Sequence, residues 1–354
     1  MTPLEQKLLV AAAIGFVGFG VGLWLDPKTA LASYLAIWFA VCAVPVGALG
    51  VLLMAYLVRG NWTRDLHEPL SAATLTMPVV ALLFLPVLAG LAWVYPWAAD
   101  PSGLPAFKSI YLVPWFFTLR SILYFAIWSA LAVWAASVYG DDAAMTRVAS
   151  AGLILWALTV SWAGIDWLES VEPEFHSSIY GLLTLSFALL TGLAFGLAAL
   201  LTLKGSHQLS NASYGALLLA TLLLWAYLHA MQYIIIWTGN IPAEVIWYLT
   251  RLDGGWAYVL WSLFIGQFVL PFFALLSARI RESTKLLLLL AAATLVFRLV
   301  EAVMLVVPPL HINGAALLFD LPAAALALGA SGLIGWRCVP ALRARWSGRA
   351  AAAG

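Results

Sequence analysis

Apolar residues run along this chain in long blocks, and polar residues gather in the short breaks between them. No charged residue interrupts Leu8 to Leu25, and none interrupts Leu31 to Leu57. A helix crossing the hydrocarbon of a bilayer needs about 20 predominantly apolar residues. Read from one charge cluster to the next, the pattern predicts ten such helices, over 6–25, 31–58, 71–95, 110–139, 147–167, 178–203, 212–237, 255–279, 285–307 and 316–337. The first run has two marks of a secretion signal, Lys7 ahead of it and Ala30-Leu31-Ala32 behind. It is longer than the 7–15 residues, roughly, of a signal core, so it reads as a retained helix.

Composition sharpens the picture. Of 354 residues, 64% are hydrophobic and 9% charged, where an average soluble domain is about 25% charged. Mean hydropathy is +0.99. A soluble core of this size does not need so much apolar surface. These values exclude a cytosolic enzyme, a nucleic-acid binder and a disordered chain, and they predict an all-α integral membrane protein. It forms a single polytopic domain over 1–340, with a basic, then Ala/Gly-rich tail over 341–354 that frays near anionic lipid headgroups. The net charge of +1 supplies no field for nucleic acid. Cys42 and Cys338, alone in apolar stretches, form no CxxC or CxxCH motif and read as small buried hydrophobes.

Charge sets an orientation. Twelve basic residues lie at the N-terminus, in the even-numbered loops and at the C-terminus: Lys7, Arg59, Arg64, Arg147, Lys204, Arg279, Arg281, Lys285, Arg337, Arg343, Arg345 and Arg349. The odd-numbered loops carry three, Lys28, Lys108 and Arg251. The positive-inside rule then places both termini in the cytoplasm. The opposite surface has two distinctive loops, Ile165–His176 and Gly239–Tyr248, of which the first is acidic and both carry aromatics at the membrane boundary. It reads as a water-facing rim or as a docking surface for a partner, with Glu169, Glu172, His176, Asn240 and Glu244 as candidate contacts.

Ionisable residues inside the spans carry the candidate chemistry, because each charge at mid-span costs about 2.5–3.5 kcal/mol. Arg298 and Glu301 are three apart, hence on one helix face, and read as an ion pair or as an element of a proton path. His229 and Gln232 share a face of the seventh span beside Tyr233. His229 is the only histidine expected well inside a span, too few for bis-histidine haem ligation. It reads as an interhelical hydrogen-bonding group or as a proton acceptor. Arg120, Asp166 and Asp320 complete the set, and all but mid-depth Arg298 fall in the outer half. The cytoplasmic half carries hydroxyls (Thr74, Ser129, Thr221), with Asp65, His67 and Glu68 at its mouth. That asymmetry suits a site or half-channel opening outward. Pro45, Pro78, Pro86, Pro114 and Pro271 are expected to kink spans and free carbonyls. Gly15, Gly18 and Gly22 are expected to allow close helix contact.

Four segments resemble the ActF membrane subunit of alternative complex III. Asp166-Trp167-Leu168-Glu169-Ser170-Val171-Glu172-Pro173 followed by Ser177-Ser178-Ile179-Tyr180-Gly181 is similar to that family's D-W-x-x-S-L-[DE]-P-H-W-Y-S-T-I-[FY]-G. Gln232-Tyr233 through Ile236-Trp237, then Asn240-Ile241-Pro242-Ala243-Glu244, resembles Q-Y-x-x-I-W-Y-x-N-I-P-E-E. Arg298 and Glu301 ahead of Pro308 resemble an R-x-x-[DE] pair before a proline. Val113-Pro114-Trp115-Phe116 with Arg120 and Tyr124 resembles a fourth-span motif. The matches spread over about residues 110–310. Where the family has His-Trp-Tyr after the proline, this chain has Glu174-Phe175-His176, and it is shorter than expected of the family.

The resemblance implies an NrfD-like fold of two four-helix bundles plus peripheral helices. It implies a noncatalytic subunit of a quinol:electron-acceptor oxidoreductase in the bacterial cytoplasmic membrane, with a role in proton translocation or in a quinol-side cavity. Such a chain holds no redox cofactor or metal and has no catalytic residue. Haem c and iron–sulfur clusters sit in periplasmic partner subunits, the quinol is the substrate of the whole complex, and a second NrfD-like subunit and lipids surround the chain. A supercomplex with a terminal oxidase also belongs to that set. Two other readings stand beside it. A secondary transporter would show repeated broken helices meeting at mid-membrane, and no convincing pair is found. A structural anchor would use the polar pairs only to hold helices together.

Overall fold

The computed structural model describes residues 2–58, 60–102, 104, 106–204, 211–310 and 316–352. Ten helical spans are long and apolar enough to cross a membrane, and no strand occurs among the described residues. In chain order the helices are α1 (Pro3–Leu25), α2 (Pro27–Leu57), α3 (Asn61–Thr74), α4 (Met77–Leu82), α5 (Leu85–Ala89), α6 (Leu91–Val94), α7 (Pro96–Ala99), α8 (Ala106–Tyr111), α9 (Pro114–Ser137) and α10 (Asp142–Trp167). There follow α11 (Tyr180–Lys204), α12 (Asn211–Gly239), α13 (Pro242–Leu252) and α14 (Trp256–Ser262). A π-helical stretch, Leu263–Val269, leads into α15 (Leu270–Leu276), α16 (Ala278–Glu282), α17 (Thr284–Val306) and α18 (Ala316–Ala352).

The spans form two groups of four. One gathers α2, the α3–α5 span, α9 and α10; the other gathers α11, α12, the span from α14 to α15, and α17. They meet where α2 crosses α11, while α1 and α18 pair at the periphery beside α2. The central helix, α2, carries no charge after Lys28 and is buried on almost every side, as an all-round apolar helix must be. Gly47 of α2 and Gly192 of α11 meet backbone to backbone, and a methyl group on either would collide with the other helix. Gly50 leaves room for the Trp156 ring, whose Nε1 donates to the Val46 carbonyl at 2.8 Å. Gly15 of α1 lies against the backbone of α18 in the same way, as its spacing leads one to expect. The outer surface is apolar as well: Ile14, Phe16, Val17 and Trp24 are all more than half exposed. A bilayer is the solvent that suits such a surface.

The third span differs from its expected place. It runs over Trp62–Ala89 instead of starting at 71, and it is broken into α3, α4 and α5. The breaks release carbonyls. Phe84 N bonds Ala81 O and Val87 N bonds Phe84 O, so the carbonyls of Val80 and Leu83 lose their usual partners. Two α2 side chains take them: Trp38 Nε1 donates to Val80 O at 2.8 Å, and Tyr34 OH to Leu83 O at 2.6 Å. Pro78 and Pro86 sit at the starts of α4 and α5. Pro114 begins α9 instead of kinking it, because a first-turn proline sacrifices no helical hydrogen bond. The expected fraying tail is helical too, since α18 continues to Ala352. Cys42 is buried; the side chain of Cys338 and those of the tail lie outside the described residues.

Candidate functional site

Near the end of α17, Arg298 Nη1 and Glu301 Oε2 are 2.5 Å apart, as their spacing predicts. From α12, the Glu301 Oε1 atom receives two further groups, His229 Nε2 at 3.0 Å and Trp225 Nε1 at 3.1 Å. Trp225 and His229 are one turn apart and so share a face. An ionised Glu301 assigns the proton of a neutral His229 to Nε2. The imidazole edge remains 29% exposed on the outer surface, whereas Arg298 and Glu301 are buried. The Arg298 guanidinium makes no hydrogen bond among the described residues. It lies between the rings of Trp225 and Phe187, with centroids at 4.6 and 5.1 Å. Its charge is thus balanced by one carboxylate and two aromatic faces.

Beside this cluster is a cavity of about 10 Å³, lined among others by Glu301, His229, Gln232, Tyr180 and Thr184, which is room for about one water molecule. Gln232 is fully buried and accepts from Ser177 Oγ at 3.3 Å. Ser177 N in turn donates to Glu169 Oε1 at 3.1 Å. His229, Gln232, Arg298 and Glu301 therefore form one neighbourhood, which reaches the loop after α10.

Arg120 and Asp166 form a separate site. The guanidinium grips the carboxylate with two bonds, Nε to Oδ2 at 2.8 Å and Nη2 to Oδ1 at 2.9 Å. Tyr124 OH donates to Oδ2 at 2.6 Å, and Arg120 Nη1 reaches Tyr111 O at 3.0 Å. The pair is buried with both carboxylate oxygens bonded, an arrangement that holds helices in place. Asp320 is apart again, buried on α18 beside Ser33 of α2. Of the expected docking residues, His176 and Asn240 are exposed and Glu244 is half-buried. Asn240 has a φ of 49°, in the left-handed region that asparagine tolerates. Glu172 turns inward to Arg251 at 2.7 Å, and Glu169 is half-buried. Nearby, Lys108 donates to Pro173 O at 2.5 Å, and burial lowers its ammonium below the ordinary lysine range.

Three buried polar residues escape the sequence reading. Arg251, counted as a loop charge, is 1% exposed. It donates to the carbonyls of Trp247, Met304 and Leu305 as well as to Glu172. His67, expected at a mouth, is 3% exposed within the third span, so His229 is not alone in that respect. The corresponding asymmetry of ionisable groups is weaker than expected. Gln267 is buried in the π-helical stretch, and neither amide atom has a hydrogen bond among the described residues; a lone mid-span Gln in an apolar run is the available signal. Among the described residues, no three His, Cys, Asp or Glu side chains are grouped to hold a metal ion.

Fold and cluster together define a multi-pass, all-α membrane protein with a buried arginine–carboxylate–histidine site. Compared with known proteins, the chain matches no family model and no curated protein.

Proposed function

We propose that the chain is a noncatalytic integral membrane subunit of a bacterial quinol:electron-acceptor oxidoreductase resembling alternative complex III. One observation carries the reading: residues of the four resembling segments meet one another at one end of the bundle. Arg120 and Tyr124 hold Asp166, Ser177 reaches Gln232, and Gln232 lines the same small cavity as Glu301. Arg251, in the last turn of the helix that the Asn240 segment begins, holds Glu172. The Lys/Arg bias directs this end to the periplasm and both termini to the cytoplasm. There it would face partners that carry haem c and iron–sulfur clusters, with a second NrfD-like subunit alongside in the membrane.

Within that assembly the role of the Glu301 cluster is to take up protons. His229 donates through Nε2 to Glu301, and a proton arriving at Nδ1 gives an imidazolium held against the carboxylate. Arg298 compensates the carboxylate in the meantime. The test is to purify the assembly through a tag on this chain and record its visible spectrum, then assay Glu301→Gln and His229→Leu. Expected are c-type haem bands in the wild type, and assembled variants that reduce the acceptor more slowly with quinol or release fewer protons. A chain that purifies without haem-bearing partners overturns the reading; assembled variants with unchanged turnover and proton release reduce the cluster to a helix clamp.

A further inference from the structure

Five buried rings surround Trp167 at the end of α10. Centroid to centroid, Trp38 lies 5.0 Å away, Phe84 5.2 Å, Phe125 5.4 Å, Trp128 5.7 Å and Tyr124 6.0 Å. None of these rings exceeds 7% exposure. Each indole is fixed by a hydrogen bond from Nε1: Trp38 to Val80 O at 2.8 Å, Trp128 to Thr159 Oγ1 at 2.8 Å and Trp167 to Ser121 Oγ at 3.0 Å. Tyr124 directs its hydroxyl proton at Asp166 Oδ2, 2.6 Å away. The half-buried Tyr111 continues the row towards the surface, and its hydroxyl interacts with Asp166 and Tyr124. The Tyr111 ring lies 6.0 Å from Phe116, which is 5.4 Å from Trp115, a residue 70% exposed.

Packing alone does not call for these residue types. Phenylalanine fills a core as well, and it has no ring N–H or O–H that needs a partner. Indole and phenol differ from it in giving up one electron far more readily. At these spacings the ring edges are close to van der Waals contact, so an electron crosses from one to the next in a short step. An oxidised phenol is a strong acid, and inside an apolar bundle it persists as a radical only where a base takes its proton. Asp166, at the end of the hydrogen bond from Tyr124, is such a base.

We propose that these residues form a relay that carries oxidising equivalents between the surface at Trp115 and Tyr111 and the cluster around Trp167, with Tyr124 as the residue on which the radical settles. A lipid peroxyl radical takes one electron from a ring at the surface and one proton from water, and becomes a hydroperoxide. Electrons then move outward from ring to ring until the deficit reaches Tyr124. Its phenolic proton passes to Asp166 Oδ2, leaving a neutral tyrosyl radical and a neutral carboxylic acid. A phenol or quinol dissolved in the membrane returns one electron through the same rings and releases its own proton to water, while Asp166 gives its proton back to Tyr124. The relay is independent of the Glu301 cluster and of the assembly proposed for the chain.

The test uses the full chain in detergent, oxidised by a flash-quench pair, trisbipyridyl ruthenium and persulfate, and frozen for electron paramagnetic resonance. The wild type is expected to give a tyrosyl signal that forms at a rate independent of pH near neutrality, because the proton goes to Asp166 and not to solvent. Tyr124→Phe keeps both arginine bonds to Asp166 and should lose most of that signal in favour of a tryptophanyl one. Tyr227→Phe and Tyr258→Phe, which remove phenols that are 58% and 80% exposed, should leave it unchanged. After prolonged illumination, peptide mass spectrometry should find oxidised Trp128 and Trp167 in Tyr124→Phe and little in the wild type. Melting curves of the unoxidised variants check the fold. A tyrosyl signal that survives Tyr124→Phe, or that is lost with an exposed tyrosine, overturns the proposal. So does a wild-type rate that rises with pH, a readout that needs no variant, since it places the radical on a solvent-facing tyrosine.

Discussion

Arg251 donates from Nε to the main-chain carbonyl of Met304 at 3.0 Å, and the bond is possible because Pro308 follows four residues later. In a helix, the carbonyl of Met304 would bond the N–H of residue 308 and that of Leu305 the N–H of residue 309. Both positions are proline, which has no N–H. The guanidinium takes both abandoned carbonyls, with Nη2 to Leu305 O at 2.8 Å, and stacks 3.8 Å from the Trp247 ring centroid. One buried cation therefore ties α13 to the end of α17 and, through Glu172, to the loop after α10.

Replacing Arg251 breaks all of these ties at once. Arg251→Leu is expected to destabilise the protein by about 3–5 kcal/mol, the cost of unpairing a buried charge partner. Arg251→Lys keeps the charge but loses the fork and should recover only part. Glu172→Gln, half-exposed and still an acceptor, should cost less than either. Melting in detergent ranks the three; Arg251→Lys melting like wild type would show that charge alone matters.

Arg298 and Glu301 should couple. Glu301→Gln alone leaves a buried guanidinium without its counter-ion, whereas Arg298→Met together with Glu301→Gln removes both charges. The double variant is expected to melt above the Glu301→Gln single variant, with a coupling of about 1–3 kcal/mol. Additive losses would show that Trp225 and Phe187 balance Arg298 unaided.

At the second ion pair, Tyr124→Phe removes one donor from Asp166 and leaves the two arginine bonds, for an expected loss of about 1–2 kcal/mol. Asp166→Asn strips Arg120 of its charge partner and should cost more. If the two losses are equal, the hydroxyl rather than the ion pair holds α9 to α10.

Asp26 caps α2, accepting from Thr29 N at 3.1 Å and Thr29 Oγ at 2.5 Å, bonds that hold its carboxyl below the ordinary value of 3.8. A depressed carboxyl contributes stability above its unfolded value and loses it as pH falls through the folded one. Asp26→Ala should therefore cost about 1 kcal/mol at neutral pH. The gap between the two melting curves should close on acidification well below pH 3.8. A gap that is constant with pH would mean that the cap acts without its charge.

Exposed positions at the two ends test the path of the chain. With Cys42 and Cys338 replaced by alanine, single cysteines at His176 and Asp142 should react with a membrane-impermeant reagent from opposite sides, His176 from outside intact cells. Labelling of both from one side would contradict the span between them.

The sequence by itself determined the solvent and the span count, because crossing a bilayer demands a length of apolar helix that can be read without knowing any contact. It also determined the Arg298–Glu301 pair, since covalent helix geometry brings residues three apart together. The tertiary structure alone decided which carboxylate each remaining cation meets. Arg120 finds Asp166 from 46 residues away, and Arg251 finds Glu172 from 79. Helices such as α2 are apolar on all sides, so no periodicity marks the face that meets a neighbour. The break in the third span and the burial of His67 depend likewise on side chains of other segments: Trp38 and Tyr34 donate to the freed carbonyls of the one, and Tyr56 and Tyr139 enclose the other.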